Sequence, residues 1–414
     1  MLAIKRYPGN PILGPNPDLP WGQHEARNPG VVFDGKKFHL LFTATPEPRN
    51  GEIYLGYASG SDGIHFECAP EPLLRPSPDP DDFDHASVED ARITELDGKF
   101  YIAYAARSFN MLKFAAGERR VGPDGNRNPT WTENFRRVGF AVTTDWQHCR
   151  KLGPITSEHI CDANVALFPE KINGKYLILH RPTTAVPWTL PCFYSPASIW
   201  LVFSDSLERW GSNRREMPWN MIDGEDIPDE HLLIKPEYEW ESMKIGASGI
   251  PIPTDDGWLM FYHAVDRKGV YRVGLMLLDR QNPLKVLARS PLPVMQPEGT
   301  FEQSGAYPNC VFPCANVVVG DEIFIYYGAA DLYCCLATSN CRRLSITLIN
   351  TEPTEKNHEE TCFHPYRAPG CNCDHRHSRR NVASGSEQRT QKGYGCQLPQ
   401  QSEIHGRHTC LVFQ

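Results

Sequence analysis

No stretch of this 414-residue chain is apolar for long enough to span a bilayer. The N-terminal "MLAIKRYPGNPILGP" also lacks the apolar core of a signal peptide, so a cytoplasmic protein is expected and a membrane partner is not. Basic charge is in short supply. Lys and Arg number 42 against 50 Asp and Glu, a net charge of −8, and a phosphate backbone wants the opposite balance, so no nucleic-acid partner is expected. Helix-period stretches are nearly missing, which turns the reading away from helical and α/β classes. Disulfides are not expected either. Eight of the 14 cysteines fall within residues 1–340 at irregular spacings, often inside apolar strand patterns (Cys310, Cys314, Cys334, Cys335), and read as buried free thiols.

What the chain has is one pattern written five times. "DGKKFHLLFTA", "DGKFYIAYAA", "NGKYLILHRP", "DDGWLMFYHAV" and "GDEIFIYYGAAD" each place a tight Asp/Asn-Gly or Gly-Asp turn before a β-branched and aromatic run. An apolar strand precedes each, as in "NPGVVF", "EDARITEL", "NVALFPEKI", "GASGIPIPT" and "VFPCANVVV". A second hairpin follows most of them, as in "IYLGYASGSDGIHFE" and "RVGFAVTTDWQHCRKL". Four antiparallel strands repeated five times predict an all-β, five-bladed β-propeller over residues 1–340. A pair of β-sandwiches is the competing architecture. The N-terminal "AIKRYPGNPIL" is a candidate for the closing strand of the last blade. Residues 341–414 are polar, without period, and read as a disordered tail. "CNCDHRH" within it has CxC and HxH spacings unlike the usual zinc arrangements, so no metal is expected.

In a propeller, polar residues that break the strand pattern at equivalent places meet around the axis. In "SVEDARI" (87–93), Glu89 and Asp90 stand one residue from Arg92, at the mouth of the innermost strand of blade two. His180 and Arg181 end what reads as the inner strand of blade three; His263 interrupts that of blade four, and Asp331 ends that of blade five. Lys244 is the lone Lys in an apolar and small stretch, and Tyr271 and Arg272 follow on the next strand. Each has an ordinary explanation, from a satisfied core histidine to a turn-capping Asp. Trp21, Trp188, Tyr194 and Trp240 have flat faces that suit sugar rings, although core packing is commoner for any one of them.

Nine motifs, among them "RNPGVVFDGKKFHLLF", "VEDARITELDGKFYIAYAA", "ALFPEKINGKYLILHRP", "WESMKIGASGIPI" and "PNCVFPCANVVVGDEIFIYYGAAD", fall in order over about residues 5–338. With them the chain resembles family 130 of the glycoside hydrolases, five-bladed propellers acting on β-mannosides. Most members are inverting phosphorylases; others are hydrolases. The resemblance implies transfer of mannose from a β-mannoside oligosaccharide to inorganic phosphate, giving α-mannose 1-phosphate with phosphate as co-substrate and no other cofactor. It makes Asp90 the general acid, with Ala91 where the family usually has Pro, and in several members the proton passes through a mannose hydroxyl. Asn28, Glu89, Arg92, Glu241, Tyr262 and Asp331 are candidates for binding the sugar. The family pattern makes Arg181 and Lys244 phosphate ligands, with His180, His263 and Arg272 as further candidates for phosphate. Thr43 and the run Asp162, Ala163, Asn164 stand where phosphorylases often carry basic residues, so a thinned cradle is expected. A hydrolase would need a carboxylate base, for which Glu170 and Glu241 are the candidates. A non-catalytic scaffold is a third reading, and a homo-oligomer is left open.

Overall fold

The computed structural model describes residues 4–47, 52–156, 158, 160–183, 197–208, 210 and 231–349. A short strand β1 (Lys5–Arg6) leads into blade one, β2 (Glu25–Phe33), β3 (Phe38–Thr45), β4 (Tyr54–Gly60) and β5 (Glu67–Cys68). Blade two is β6 (Ser87–Leu96), β7 (Lys99–Arg107), β8 (Arg137–Thr143) and β9 (Arg150–Pro154). Blade three is β10 (Cys161–Leu167), β11 (Tyr176–Thr183), β12 (Ile199–Ser204) and β13 (Leu232–Ile234). Blade four splits its first strand into β14 (Lys244–Ala247) and β15 (Ile252–Thr254), then runs β16 (Gly257–Val265), β17 (Tyr271–Leu278) and β18 (Val286–Arg289). Blade five is β19 (Val311–Val319), β20 (Glu322–Ala329) and β21 (Tyr333–Asn340). All strand pairs within the blades are antiparallel, and the architecture is a five-bladed β-propeller.

The repeated turns fold as their sequences ask. Asp97 and Gly98 both take positive φ (51° and 70°), as do Asn173 and Gly174 (52° and 78°). Two consecutive left-handed residues are what a tight hairpin with the natural strand twist requires, and Asn, Asp and Gly adopt them at least cost.

The first strands of the blades are the innermost. β2, β6, β10 and β19 pack against one another around the axis, with β14 against β10. This corrects one placement: "LHRP", "FYHAV" and "IYYGA" lie on the second strands β11, β16 and β20. Their side chains reach the axis only from the strand ends that face it.

Between blades the sheets bury apolar faces. Leu179, Ile199, Trp258 and Met276 join blades three and four; Leu275, Leu277, Ile323 and Ile325 join four and five. Cys310, Cys314, Cys334 and Cys335 are buried free thiols in this packing.

Both chain ends complete blade five. β1 pairs with β21, Lys5 opposite Thr338 and Arg6 opposite Ala337, so the N-terminal segment supplies the closing strand as its sequence suggests. Beyond Asn340 the chain forms a helix, Cys341–Ile349, with Leu344 and Leu348 buried in the cluster between blades four and five. The sequence reading ended order at residue 340. Two leucines four residues apart make a single helical face too short to register as a period. The remainder of the tail, including "CNCDHRH", lies outside the described residues, as do Trp188 and Tyr194.

Closure also rests on charge. Arg6 Nε donates to Glu302 Oε1 at 2.7 Å, and Tyr327 Oη donates to the same oxygen at 2.8 Å. Glu302 also accepts from the backbone N–H groups of Glu298 and Gly299. Burial would raise the Glu302 pKa; Arg6 and these donors hold it below its ordinary value instead. Removing Arg6 strands a buried carboxylate. Arg6→Ala is expected to cost about 3 kcal/mol in urea unfolding. The wild-type advantage is present above the ordinary carboxylate range and is lost as pH falls through the Glu302 pKa. An unchanged urea midpoint at neutral pH would show that closure does not depend on this pair.

Candidate active site

Three inner strands carry the same local irregularity. Register slips between Arg27 and Gly30 in β2, between Glu89 and Arg92 in β6, and between Ala163 and Ala166 in β10. Each bulge holds one left-handed residue, Asn28 (φ 53°), Asp90 (φ 56°) and Asn164 (φ 58°). A bulge re-aims a side chain, and Asn and Asp accept the left-handed conformation better than most residues. Gly30 makes the first bulge sterically feasible, because a Cβ there would lie 2.4 Å from the Ala91 carbonyl oxygen. Asp331, also left-handed (φ 53°), follows β20 from blade five.

These residues form an acidic half. Asn28 Nδ2 donates to Asp90 Oδ1 at 2.7 Å and to Asp331 Oδ1 at 3.4 Å. Asp90 N–H donates to Thr43 Oγ1 at 2.9 Å, so Thr43 anchors the bulge. Arg27 sits among four carboxylates: Glu25 at 2.9 Å, Glu89 and Asp90 each at 3.5 Å, and Asp331 at 3.9 Å. Burial works against its charge, but Asp331, Glu25, Asp90 and Glu89 hold its pKa well above the ordinary arginine value. Asp90 is 6% exposed.

Opposite lies a cationic half. Arg181 at the end of β11, Lys244 at the start of β14 and His263 in β16 are all buried. Arg107, half-buried at the end of β7, and Arg136, buried just before β8, join them. The groups repel one another. Burial, then Arg136, push Arg107 and Arg181 down to about 10. Burial, then Arg181 and Arg136, hold Lys244 well below its ordinary value. Burial, then Arg181, Arg92, Lys244 and Arg136, do the same to His263. Lys244 Nζ stands 5.0 Å from the Tyr271 ring centroid, and His263 packs between Tyr271 and Phe312. The Asn164 amide lies within 3.3 Å of Arg181 and His263 Nε2. The halves face each other: Glu89 and Asp90 act on Arg107 and Arg136, and Asp331 on Lys244.

Asp90, Glu89, Asn28, Asp331, Arg181, Lys244 and His263 are thus brought to one end of the axis. Others are not. Tyr262 lies on the opposite face of β16 from His263, donating to Glu241 Oε1 at 2.8 Å. Glu241, fully buried, also accepts from Arg289 and from the N–H groups of Glu237 and Tyr238; it caps a turn and is occupied as a structural anion. Arg272 faces away from Tyr271 and pairs with Asp266 at 2.7 Å. His180 is on the opposite face of β11 from Arg181, and its Nδ1 meets Asp162 Oδ2 at 2.7 Å. Arg92 spends its donors on backbone: Nε to Ser248 O at 2.6 Å, and the terminal nitrogens to Asp90 O and Ala247 O. Trp21 and Trp240 donate to Pro70 O and Pro291 O within core packing. Glu170 pairs with Arg280 and lines a cavity of about 850 Å³ at the other end of the axis, among Thr94, Pro251 and Asn316.

Arg27, Arg107, Arg136 and Asn164 escaped the sequence reading of the site. Arg27-Asn28, Glu89-Asp90 and Ala163-Asn164 are equivalent dipeptides, so aligning the repeats on their bulges would have found Arg27 and Asn164. The two arginines flank the long 108–135 connection, just outside the strand motifs. They offset the thinning expected from Thr43 and Asp162. Among the described residues no group of three or more His, Cys, Asp and Glu side chains is placed to hold a metal, and no helix is long and apolar enough to cross a membrane.

Arg92 therefore acts as a strut from blade two to blade four. Arg92→Ala leaves buried carbonyls unmatched and is expected to lower stability by about 3 kcal/mol. Urea unfolding checks this; an equally stable variant whose only defect is a weaker sugar KM would return Arg92 to the sugar.

The sequence profile described as beta-1,4-mannooligosaccharide phosphorylase, that of glycoside hydrolase family 130, matches residues 22–347. The chain is 33% identical over 337 residues to a 1,2-beta-oligomannan phosphorylase of Thermoanaerobacter sp. (strain X514), covering 80% of this chain and 95% of that one. It is 32% identical to a beta-1,2-mannobiose phosphorylase of the same organism, over 80% and 96%. The solved beta-1,2-mannobiose phosphorylase of Listeria innocua superposes with a TM-score of 0.65 at 23% identity, over 84% of this chain and 99% of that one, a likeness of fold. Five blades, an acid set in a left-handed bulge and these matches lead to one conclusion: the chain belongs to glycoside hydrolase family 130.

Proposed function

We propose that the protein is an inverting β-mannoside phosphorylase, with β-1,2-linked mannosides as its substrate class. The observation that carries the reading is the buried cationic half opposite Asp90. Arg107, Arg136, Arg181 and Lys244 repel one another in a desolvated site. Such a cluster is relieved by a multivalent anion, and guanidinium groups match phosphate oxygens in pairs. A water-using enzyme would need a carboxylate base on the same side. Glu241 and Glu170, the candidates, are committed to a buried turn and to the far end of the axis. A scaffold protein has no use for charges that are costly to bury.

In this reading the mannosyl unit lies between the halves, its hydroxyls on Asn28, Asp331 and Glu89. Asp90 gives a proton to the departing glycosidic oxygen, directly or through a mannose hydroxyl. A phosphate oxygen forms its bond to the anomeric carbon from the opposite face as the old C–O bond breaks. The products are α-mannose 1-phosphate and a mannoside one unit shorter. Thr43 and Asn28 fix the Asp90 backbone and carboxyl. The β-1,2 preference rests on the two relatives above 30% identity, both named for it.

Incubation with β-1,2-mannobiose and β-1,4-mannobiose, each with and without phosphate, tests the reading. Mannose 1-phosphate should appear only with phosphate, and faster from the β-1,2 isomer. Free mannose at an equal rate without phosphate would make it a hydrolase, and preference for the other isomer would move the linkage. Asp90→Asn should lower turnover about a thousandfold while the protein stays folded. An arriving anion should also relieve the repulsion that, with burial, holds the Lys244 pKa down. Lys244→Ala is therefore expected to raise the phosphate KM with the mannobiose KM changed little; an unchanged phosphate KM would exclude Lys244 from the phosphate site.

A further inference from the structure

Arg107 and Arg136 are the two ends of one connection. β7 stops at Arg107, β8 starts at Arg137, and residues 108–135 leave the blade between them. Two guanidinium groups that repel each other in a buried site need something to hold the ends of that connection together. Apolar packing at its base is limited largely to Trp131, with Thr130 and Ser108 beside it. The polar contacts converge on Asn134.

Asn134 is fully buried and left-handed (φ 50°). Its side chain clasps the backbone of Phe109 from both sides. Nδ2 donates to Phe109 O at 2.8 Å, and Oδ1 accepts from Phe109 N–H at 3.2 Å. Its own carbonyl oxygen accepts from an Arg107 terminal nitrogen at 2.6 Å. Two residues on, the Arg136 carbonyl accepts from Asp162 N–H at 3.0 Å, which ties the same stretch to blade three. One residue thus reaches the strand end that bears Arg107 and, through its own backbone, sets where Arg136 begins. The left-handed turn is what lets the Asn134 side chain face Phe109 while its carbonyl faces Arg107. We propose that Asn134 is a positioning residue for phosphate, holding Arg107 and Arg136 at the spacing the anion needs. The inference rests on the phosphorolytic reading of the site.

A residue that served only to fold the 108–135 connection would, when changed, depress activity toward both substrates alike. A residue that spaces two phosphate ligands weakens phosphate selectively. Asn134→Gly keeps the left-handed backbone accessible and removes the clasp. It is expected to raise the phosphate KM about tenfold, the scale of one or two lost hydrogen bonds, with the mannobiose KM changed less than about twofold. Inorganic phosphate should also raise the thermal midpoint of the variant less than that of the wild type, a readout independent of turnover. Asn134→Asp keeps the acceptor and loses the donor, so it should fall between the two; it also carries the test should the glycine variant fail to fold. Unaltered phosphate KM in folded variants, or equal rises in both KM values, would remove the positioning role. A wild type that turns over mannobiose equally well without phosphate would remove the reading beneath it instead.

Discussion

Charge in a desolvated place must be matched, and around the axis of this propeller carboxylates gather on one side and cations on the other. Arg27 stands among Glu25, Glu89, Asp90 and Asp331, and its charge is secured by them. Across from it Arg136 pushes on Arg107, Arg181 and Lys244, and burial with that repulsion holds the two other arginines at about 10; burial works against the Arg136 charge too, but Cys161, Glu89 and Asp90 keep its pKa above the ordinary value. The fold tolerates this because the sheets are tied across the axis by groups such as Arg92, whose donors reach the backbone of Ala247 and Ser248 in blade four. In the reading proposed above, this arrangement holds an anion beside a sugar.

The backbone devices that build it are few and repeated. Each of the first three inner strands gives up regular pairing at one point and gains a side chain aimed along a direction no regular strand offers. The positions are occupied by Asn, Asp and Asn, residues for which a left-handed backbone costs little. In blade four the same need is met by breaking the inner strand into two pieces. One architecture therefore yields different chemistry from blade to blade, with the identity of the bulged residue as the variable.

Much of this was legible in the sequence, for physical reasons that can be named. Five turn-and-strand repeats are a strong signal because Asp-Gly and Asn-Gly turns constrain φ and because alternating strands fix which face is buried. Asp90 and Asp331 were read as polar residues at the ends of apolar strand patterns, while Asn28 was only a candidate for the sugar. What was not legible depended on the face a side chain takes. His180 and Arg181 are adjacent, as are Tyr262 and His263 and also Tyr271 and Arg272, and one of each pair points away from the site. A one-residue error in register exchanges the two, and a bulge introduces that error invisibly. Arg107 and Arg136 escaped for another reason: they belong to strand ends separated by a long connection, where no period exists to read.

The two ends of the axis show why a cavity by itself is a poor guide to function. A cavity of about 850 Å³ lies at the turn ends of the inner strands, lined by Val31, Ile93, Thr94 and their neighbours. Its ionic groups are few, and Glu170 there is neutralised by Arg280. At the other end Asp90, Glu89 and Asp331 face Arg107, Arg136, Arg181 and Lys244. Cleavage of a glycosidic bond needs a proton donor and a nucleophile on opposite faces of one carbon, and in the reading proposed above Asp90 and an anion held by the facing cations take those places. Water asks for a base to activate it, whereas phosphate arrives already charged and asks only to be held. A site rich in mutually repelling cations is costly for the first reaction and fitted to the second, so the choice between them is written in the sign of the buried charge.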